Sequence, residues 1–142
     1  MKLTMGISII MVVFSTNTFA RCDVGSKTIF SCMTKKGKQI EVCDEGKTIS
    51  YSFGKPQSNP DILVKVPRNK ASTNQGVSSY SVDIPNGKTI YSVFYGWDRM
   101  TDEHAVDAGV SVENNGSVVA TVKCSDKNID QNMEDIDLKP SE

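Results

Sequence analysis

Residues 77–97 read VSSYSVDIPNGKTIYSVFYGW, and this stretch decides the fold class. Apolar side chains alternate with polar ones on both sides of Asn86-Gly87, a dipeptide that is among the strongest signals for a tight β-turn. The apolar residues of the shared face are Tyr80, Val82, Ile84, Tyr91, Val93, Tyr95 and Trp97. The stretch therefore predicts a β-hairpin whose two strands are each buried on one side.

The same alternation recurs along most of the chain. It is found in residues 28–33, 39–43, 48–53, 61–66, 109–113 and 117–124. Glycine-containing turns join the first two of these runs and the last two. About eight short strands at this spacing are typical of an all-β antiparallel meander, either a barrel or a sandwich, and the alternation does not distinguish the two.

Two polar segments and the acidic end of the chain do not alternate. Residues 67–76 (PRNKASTNQG) and 98–107 (DRMTDEHAVD) are predicted to be loops, and the second has room for a helical turn. In residues 125–142, Ile129 and Met133 stand at helical spacing with Ile136. This spacing predicts a short C-terminal amphipathic helix, with a frayed acidic tail as the alternative.

The first twenty residues have the pattern of a secretory signal peptide. Lys2 precedes an apolar run over residues 5–14, and the small residues Thr18 and Ala20 suit cleavage after Ala20. The run is shorter than the roughly 20 residues that span a bilayer. We therefore expect a periplasmic or secreted protein without a membrane anchor, with a signal peptide over 1–20, a β domain over 21–124 and an acidic tail or helix over 125–142.

The cysteines are Cys22, Cys32, Cys43 and Cys124. An even number in a small exported domain indicates two disulfides, and no C-x-x-C spacing supports a metal site, so neither a metal nor a cofactor is expected. Cys32 and Cys124 share the parity of the buried residues in their strands, whereas Cys43 has the opposite parity. The alternation therefore predicts Cys32–Cys124 and Cys22–Cys43, one of three possible pairings.

Composition and motifs argue against several functions. The chain has 16 basic and 17 acidic residues, without the concentrated basic face that nucleic acid requires. It lacks a G-x-S-x-G elbow, an H-E-x-x-H pair and a glycine-rich phosphate loop. His104 is the only histidine and lies among acidic residues, as in a solvated loop. We therefore expect a protein that is not an enzyme.

Binding to a protein partner is the better-supported class, because sheet scaffolds often present recognition loops. The candidate partner-binding residues are Trp97, Asp98, Arg99, Asp102, Glu103, His104, Arg68 and Lys70. Tryptophan and arginine are frequent interface anchors. The alternatives are that Trp97 completes a core strand, that the segment after Pro67 is an ordinary connection, and that the lysines of residues 35–38 only protect a hairpin tip.

Two parts of the chain resemble the periplasmic and membrane-bound C-type lysozyme inhibitors. These parts are Phe30-Ser31-Cys32 followed by GKQIEV at 37–42, and the closing strand Val122-Lys123-Cys124. The resemblance implies an antiparallel barrel tied by a disulfide, with loops that block a lysozyme cleft. The S-G-x-x-Y and W-x-K-G elements of that family are not matched, so the resemblance implies an architecture and no inhibitory residue.

The expected function is that of an exported binding protein that occludes the active site of a cell-wall-degrading enzyme. The target would be a lysozyme, or a delivered muralytic toxin if the chain is an immunity protein. The alternative is a structural or surface-assembly component that self-associates through an open sheet edge. A barrel for a small ligand is a third class, but about eight short strands tend to fill their interior with side chains.

Overall fold

Eleven β-strands form two sheets in the computed structural model, which describes residues 22–142. The expected signal peptide over residues 1–20 and its cleavage site lie outside the described residues. The strands are β1 (Lys27–Met33), β2 (Gln39–Asp44), β3 (Thr48–Gly54), β4 (Ile62–Pro67), β5 (Ser72–Gln75), β6 (Ser79–Asn86), β7 (Thr89–Trp97), β8 (Val106–Asn114), β9 (Ser117–Lys123), β10 (Asp130–Gln131) and β11 (Lys139–Pro140). A single 3-10 turn, Arg68–Lys70, precedes β5.

The strands form two consecutive meanders. The first sheet has the order β10-β1-β2-β3-β4, and the second has the order β11-β5-β6-β7-β8-β9. All neighbouring strands are antiparallel except β11 and β5, which are parallel. The expected all-β architecture is confirmed, in the form of two sheets around one core.

The hairpin of residues 77–97 forms β6 and β7. Asn86 pairs with Thr89 across the turn, where Gly87 has a φ of 62°. Val82 pairs with Val93 on the buried face. The core side chains come from both sheets, because each meander has one apolar face, and from the segment between β10 and β11. The largest fully buried side chains are Phe30, Cys32, Ile40, Val42, Ile49, Tyr51, Val82, Ile84, Val93, Val110 and Met133. The Tyr51 and Tyr91 rings stack between the sheets with centroids 4.7 Å apart.

The chain crosses between the sheets after β9. Thr34 forms an isolated antiparallel bridge with Cys124, and the following residues pair with β1 as β10. The chain then returns to the second sheet, where β11 pairs with β5. The disulfide Cys32–Cys124 covalently links the sheets where the chain crosses after β9, and Cys22–Cys43 ties the N-terminal segment to β2. Both bonds match the pairing that the alternation predicts.

Two expectations from the sequence are wrong. Residues 125–142 do not form a helix, because their backbone pairs with the edges of β1 and β5 instead; Met133 is fully buried, and Ile129, Ile136 and Leu138 pack on the core. Residues 67–76 are not merely a loop, because Ser72–Gln75 forms β5. Among the described residues, no helix has the length and apolar character needed to cross a membrane.

Candidate functional site

The loop of residues 98–105 joins β7 to β8, and its two ends are held together. The Asp98 amide donates to the Ala105 carbonyl over 3.0 Å, directly beyond the pair Trp97 and Val106. The Asp98 side chain accepts from the Met100 amide over 2.8 Å. The loop is therefore closed by the last pair of the β7–β8 ladder and by its own first residue.

His104 occupies the position that turns the loop back towards β8. Its φ is 46°, in the left-handed region that most residues avoid. Its Nδ1 lies 3.1 Å from the Asp98 carbonyl oxygen, and its amide donates to the Thr101 carbonyl over 3.3 Å. The imidazole thus contacts the backbone at the start of the loop, while the His104 amide bonds to its middle.

The side chains of this loop point into solvent. Every residue from 98 to 105 is exposed, and Met100 has a relative exposure of 93%. The carboxylates of Asp98, Asp102 and Glu103 outnumber the single guanidinium of Arg99. The loop therefore displays a flexible apolar side chain within a mainly acidic surface.

Trp97 forms the base of the loop. Its ring is half-buried and contacts two tyrosines, with centroids 5.7 Å from that of Tyr80 and 6.2 Å from that of Tyr95. The Trp97 amide donates to the Ser78 carbonyl over 3.0 Å. A shallow pocket of about 490 Å³ lies beside the ring and is lined by Ser78 and residues 97–100. Trp97 therefore belongs both to the edge of the core and to the exposed site.

Tyr80 also contacts the C-terminal segment. Burial, the charge of Glu134, a hydrogen bond with that residue and the charge of Asp135 together raise the pKa of the Tyr80 phenol. The Gln75 side chain donates to the Met133 carbonyl over 2.8 Å. The aromatic base of the loop is therefore supported by the C-terminal segment.

Arg68 and Lys70 do not belong to this site, contrary to the sequence-based grouping. They precede Ser72, which pairs with Asp83, whereas the loop lies at the opposite end of β6 beside Ser79. Arg68 instead stabilises the fold. Its guanidinium bonds the Asp44 carboxylate over 2.7 Å and donates to the carbonyl oxygens of Gly46 and Asp137.

One set of potential metal ligands occurs among the described residues. Sγ of Cys22, Sγ of Cys43 and a carboxylate oxygen of Glu41 lie within 4.8 Å of one another. The two sulfurs are bonded to each other in the Cys22–Cys43 disulfide. A metal requires thiolates, so this set cannot bind one while the protein is oxidised.

The two tyrosines that pack on Trp97 were predicted on the buried face of the hairpin but were not among the candidate partner-binding residues. Asn86 pairs with Thr89, so the two turn residues are Gly87 and Lys88, and this register places Tyr80 opposite Tyr95. The shared alternation of the two strands was the signal in the sequence. No protein-family model matches the chain, and the comparisons with curated proteins and with solved structures also find no match. The functional interpretation therefore depends on the geometry of the site.

Proposed function

We propose that the chain is an exported binding protein that inhibits a cell-wall-degrading enzyme by inserting the 98–105 loop into the enzyme's active site. The observation that carries this proposal is the closed, exposed loop on its aromatic base. Its backbone is already ordered by the bonds from Asp98 and His104, so binding would cost little conformational entropy. Met100 and Trp97 would be the apolar anchors.

The charge of the loop suits this class of target. An enzyme that acts on an anionic cell-wall polymer benefits from a cationic cleft, which attracts its substrate. The carboxylates of Asp98, Asp102 and Glu103 would meet such a cleft with the opposite charge. Arg99 and His104 would contribute donors near the two ends of the loop.

Export is part of the proposal. Two disulfides in a chain of 142 residues are characteristic of oxidising compartments. Residues 1–20 would be removed as a signal peptide, with cleavage near Ala20, and the domain would act in the periplasm or outside the cell. No cofactor, nucleic acid or membrane anchor is involved, and the protein has no catalytic role of its own.

The experiment is capture of lysozymes and other muralytic enzymes on the oxidised domain of residues 21–142, followed by a cell-wall lysis assay. We expect retention of at least one such enzyme with loss of its lytic activity. Alanine at Trp97, Arg99 or Met100 should weaken inhibition by about tenfold or more, as for interface hot spots. Alanine at Lys70 or Lys88, which lie away from the loop, should leave inhibition unchanged.

The enzymes that are retained and inhibited distinguish a lysozyme inhibitor from an immunity protein. Inhibition of host or environmental lysozymes identifies a lysozyme inhibitor, and inhibition of one delivered toxin alone identifies an immunity protein. Failure to retain any muralytic enzyme, or full inhibition by all three loop variants, contradicts the proposal.

A structural role through self-association is the second candidate, and the edge strand β9 favours it. Among the strands that the structure describes, β9 pairs only with β8, and Val118 and Val119 have relative exposures of 60% and 63%. An apolar strand with an open edge can pair with another chain. A sedimentation coefficient that rises with protein concentration, and that Val119→Lys makes constant, would favour this role over inhibition.

A further inference from the structure

A groove of about 530 Å³ opens between the tip of the β1–β2 hairpin and the edge strand β9. Its apolar surface includes Phe53 from the end of β3 and Val122 from β9. Four lysines line it as well, namely Lys35, Lys36, Lys38 and Lys123. We call this site the lysine groove. Its volume lies within the range of about 300–1,000 Å³ that is common for small-molecule sites.

The charges of the four lysines are not equally compensated. Lys38 forms an ion pair with Asp61, and its Nζ lies 5.4 Å from the centroid of the Phe53 ring. Lys123 forms an ion pair with Asp107. Lys35 and Lys36 are exposed and form no ion pair with any residue that the structure describes. The groove therefore combines an apolar surface with two uncompensated positive charges.

The hairpin tip holds these two lysines in a fixed turn. The Lys38 amide donates to Oγ1 of Thr34 over 3.1 Å, and the Gly37 amide donates to the Thr34 carbonyl over 3.0 Å. Gly37 has a φ of 76°, which a residue with a side chain adopts at a cost. Lys35 and Lys36 thus occupy the centre of a closed tight turn.

The two walls of the groove are also fixed relative to each other. Thr34, at the start of the turn, bridges to Cys124, which directly follows β9. The disulfide Cys32–Cys124 joins the same two segments covalently. The groove is therefore formed before any ligand arrives, and this lowers the entropic cost of binding.

From these observations we infer that the lysine groove binds an anionic amphiphile, specifically a single apolar chain that ends in a carboxylate. The chain would lie on Phe53 and Val122, and the carboxylate would pair with Lys35 and Lys36. Each methylene that the groove buries fully would raise the affinity about fourfold. The site is distinct from the 98–105 loop, and the inference does not depend on enzyme inhibition.

The test is calorimetric titration of the oxidised domain with sodium dodecanoate below its micelle concentration. Dodecanoate should bind saturably, octanoate should bind more weakly, and acetate should not bind detectably at the same concentration. Added salt should weaken dodecanoate binding because the lysines are solvent-exposed. Dodecyltrimethylammonium has the same chain and the opposite charge, and it should bind at least about fivefold more weakly than dodecanoate.

Variants at the turn locate the site. The double variant Lys35→Gln/Lys36→Gln should weaken dodecanoate binding about fivefold, because two exposed ion pairs are lost. The matched control is Lys47→Gln/Lys88→Gln, which removes the same charge from two exposed lysines outside the groove. This control should bind dodecanoate like the parent protein.

Several results would overturn the inference. They are the absence of saturable dodecanoate binding, equal affinity for the cationic amphiphile, and an equal loss of affinity in the Lys47/Lys88 control. Binding to phosphatidylglycerol vesicles without binding to monomeric dodecanoate would assign the lysines to a membrane surface instead. Equally tight binding of polyglutamate, which has no apolar chain, would assign them to an acidic peptide.

Discussion

Segments 67–76 and 98–107 are similar in length and polarity, yet the fold uses them in opposite ways. In the first, Ala71 is fully buried, and Thr73 is buried and donates its hydroxyl to the Ser81 carbonyl over 2.9 Å. In the second, every residue is exposed. The first segment contributes to the core, whereas the second presents side chains to solvent.

The difference arises from the backbone partners that each segment finds. β5 lies between β6 and β11, so its amides and carbonyls have hydrogen-bonding neighbours on both edges. The loop of residues 98–105 bonds mainly to itself, through Asp98, Ala105 and His104. Polar composition alone therefore does not decide whether a segment is displayed; an available strand edge does.

The same substitution in both segments should give the largest contrast. Ala71→Asp places a carboxylate in a fully buried position and should lower the free energy of unfolding by at least about 3 kcal/mol. Ala105→Asp is exposed and should change it by less than about 0.5 kcal/mol. Urea denaturation of the oxidised proteins measures both values. Equal losses would mean that the loop is as integral to the fold as β5.

Whether a strand could be predicted from the sequence depended on whether one of its faces is apolar. Strands with alternating apolar residues, such as the hairpin around Gly87, could be located because one face of each strand is buried. β5 could not, since among its residues only Thr73 is buried, and polar alternation carries no signal. The helical spacing of Ile129 and Met133 was misleading, because pairing with the open edge of β1 overrides local propensity.

The 98–105 loop could be predicted from the sequence, whereas the lysine groove could not. The loop that contains Arg99 and His104 is contiguous, so its charge and position could be inferred directly. The lysine groove unites residues 34–36, Lys38, Phe53 and residues 121–123 through the crossing of the chain between the sheets. Such a site depends on tertiary structure, and neither motif nor spacing indicates it.

The second contrast concerns the arginines of the two segments. Arg68→Ala removes the ion pair with Asp44 and the bonds to two carbonyls, and it should destabilise the fold by about 1–2 kcal/mol, a value reduced by partial exposure. Arg99→Ala, in the exposed loop, should have an effect below about 0.5 kcal/mol. Thermal and urea denaturation at pH 7 test this pair.

The effect of Arg68→Ala should depend on pH. Burial raises the pKa of Asp44, but the hydrogen bonds from Arg68 and the Gly46 amide, with the charges of Arg68 and Lys27, outweigh it and hold this pKa below its usual value. The carboxylate therefore stabilises the fold above its unfolded pKa, near pH 4, and this contribution is lost as the pH falls through the folded pKa. The difference between wild type and variant should shrink at pH 3; a constant difference would contradict the role of the ion pair.

The smallest expected effect concerns the strain in the loop. His104→Val places a β-branched residue at a φ of 46°, which should cost about 1 kcal/mol and be relieved by local opening of the loop. Hydrogen exchange of the Asp98 amide should accelerate about fivefold, while global stability changes by less than about 0.5 kcal/mol. His104→Asn, which tolerates this conformation, is the control. A large global loss would show that the loop is coupled to the core.

The two disulfides have a consequence for the maturation of the protein. Numbered along the chain, the first cysteine bonds to the third and the second to the fourth, since Cys22 pairs with Cys43 and Cys32 with Cys124. An oxidant that joins cysteines in the order in which they emerge would first produce the wrong bond, Cys22–Cys32. Thiol–disulfide exchange is then needed to reach the native pairing. Production of this protein should therefore depend on a disulfide isomerase and not on an oxidant alone.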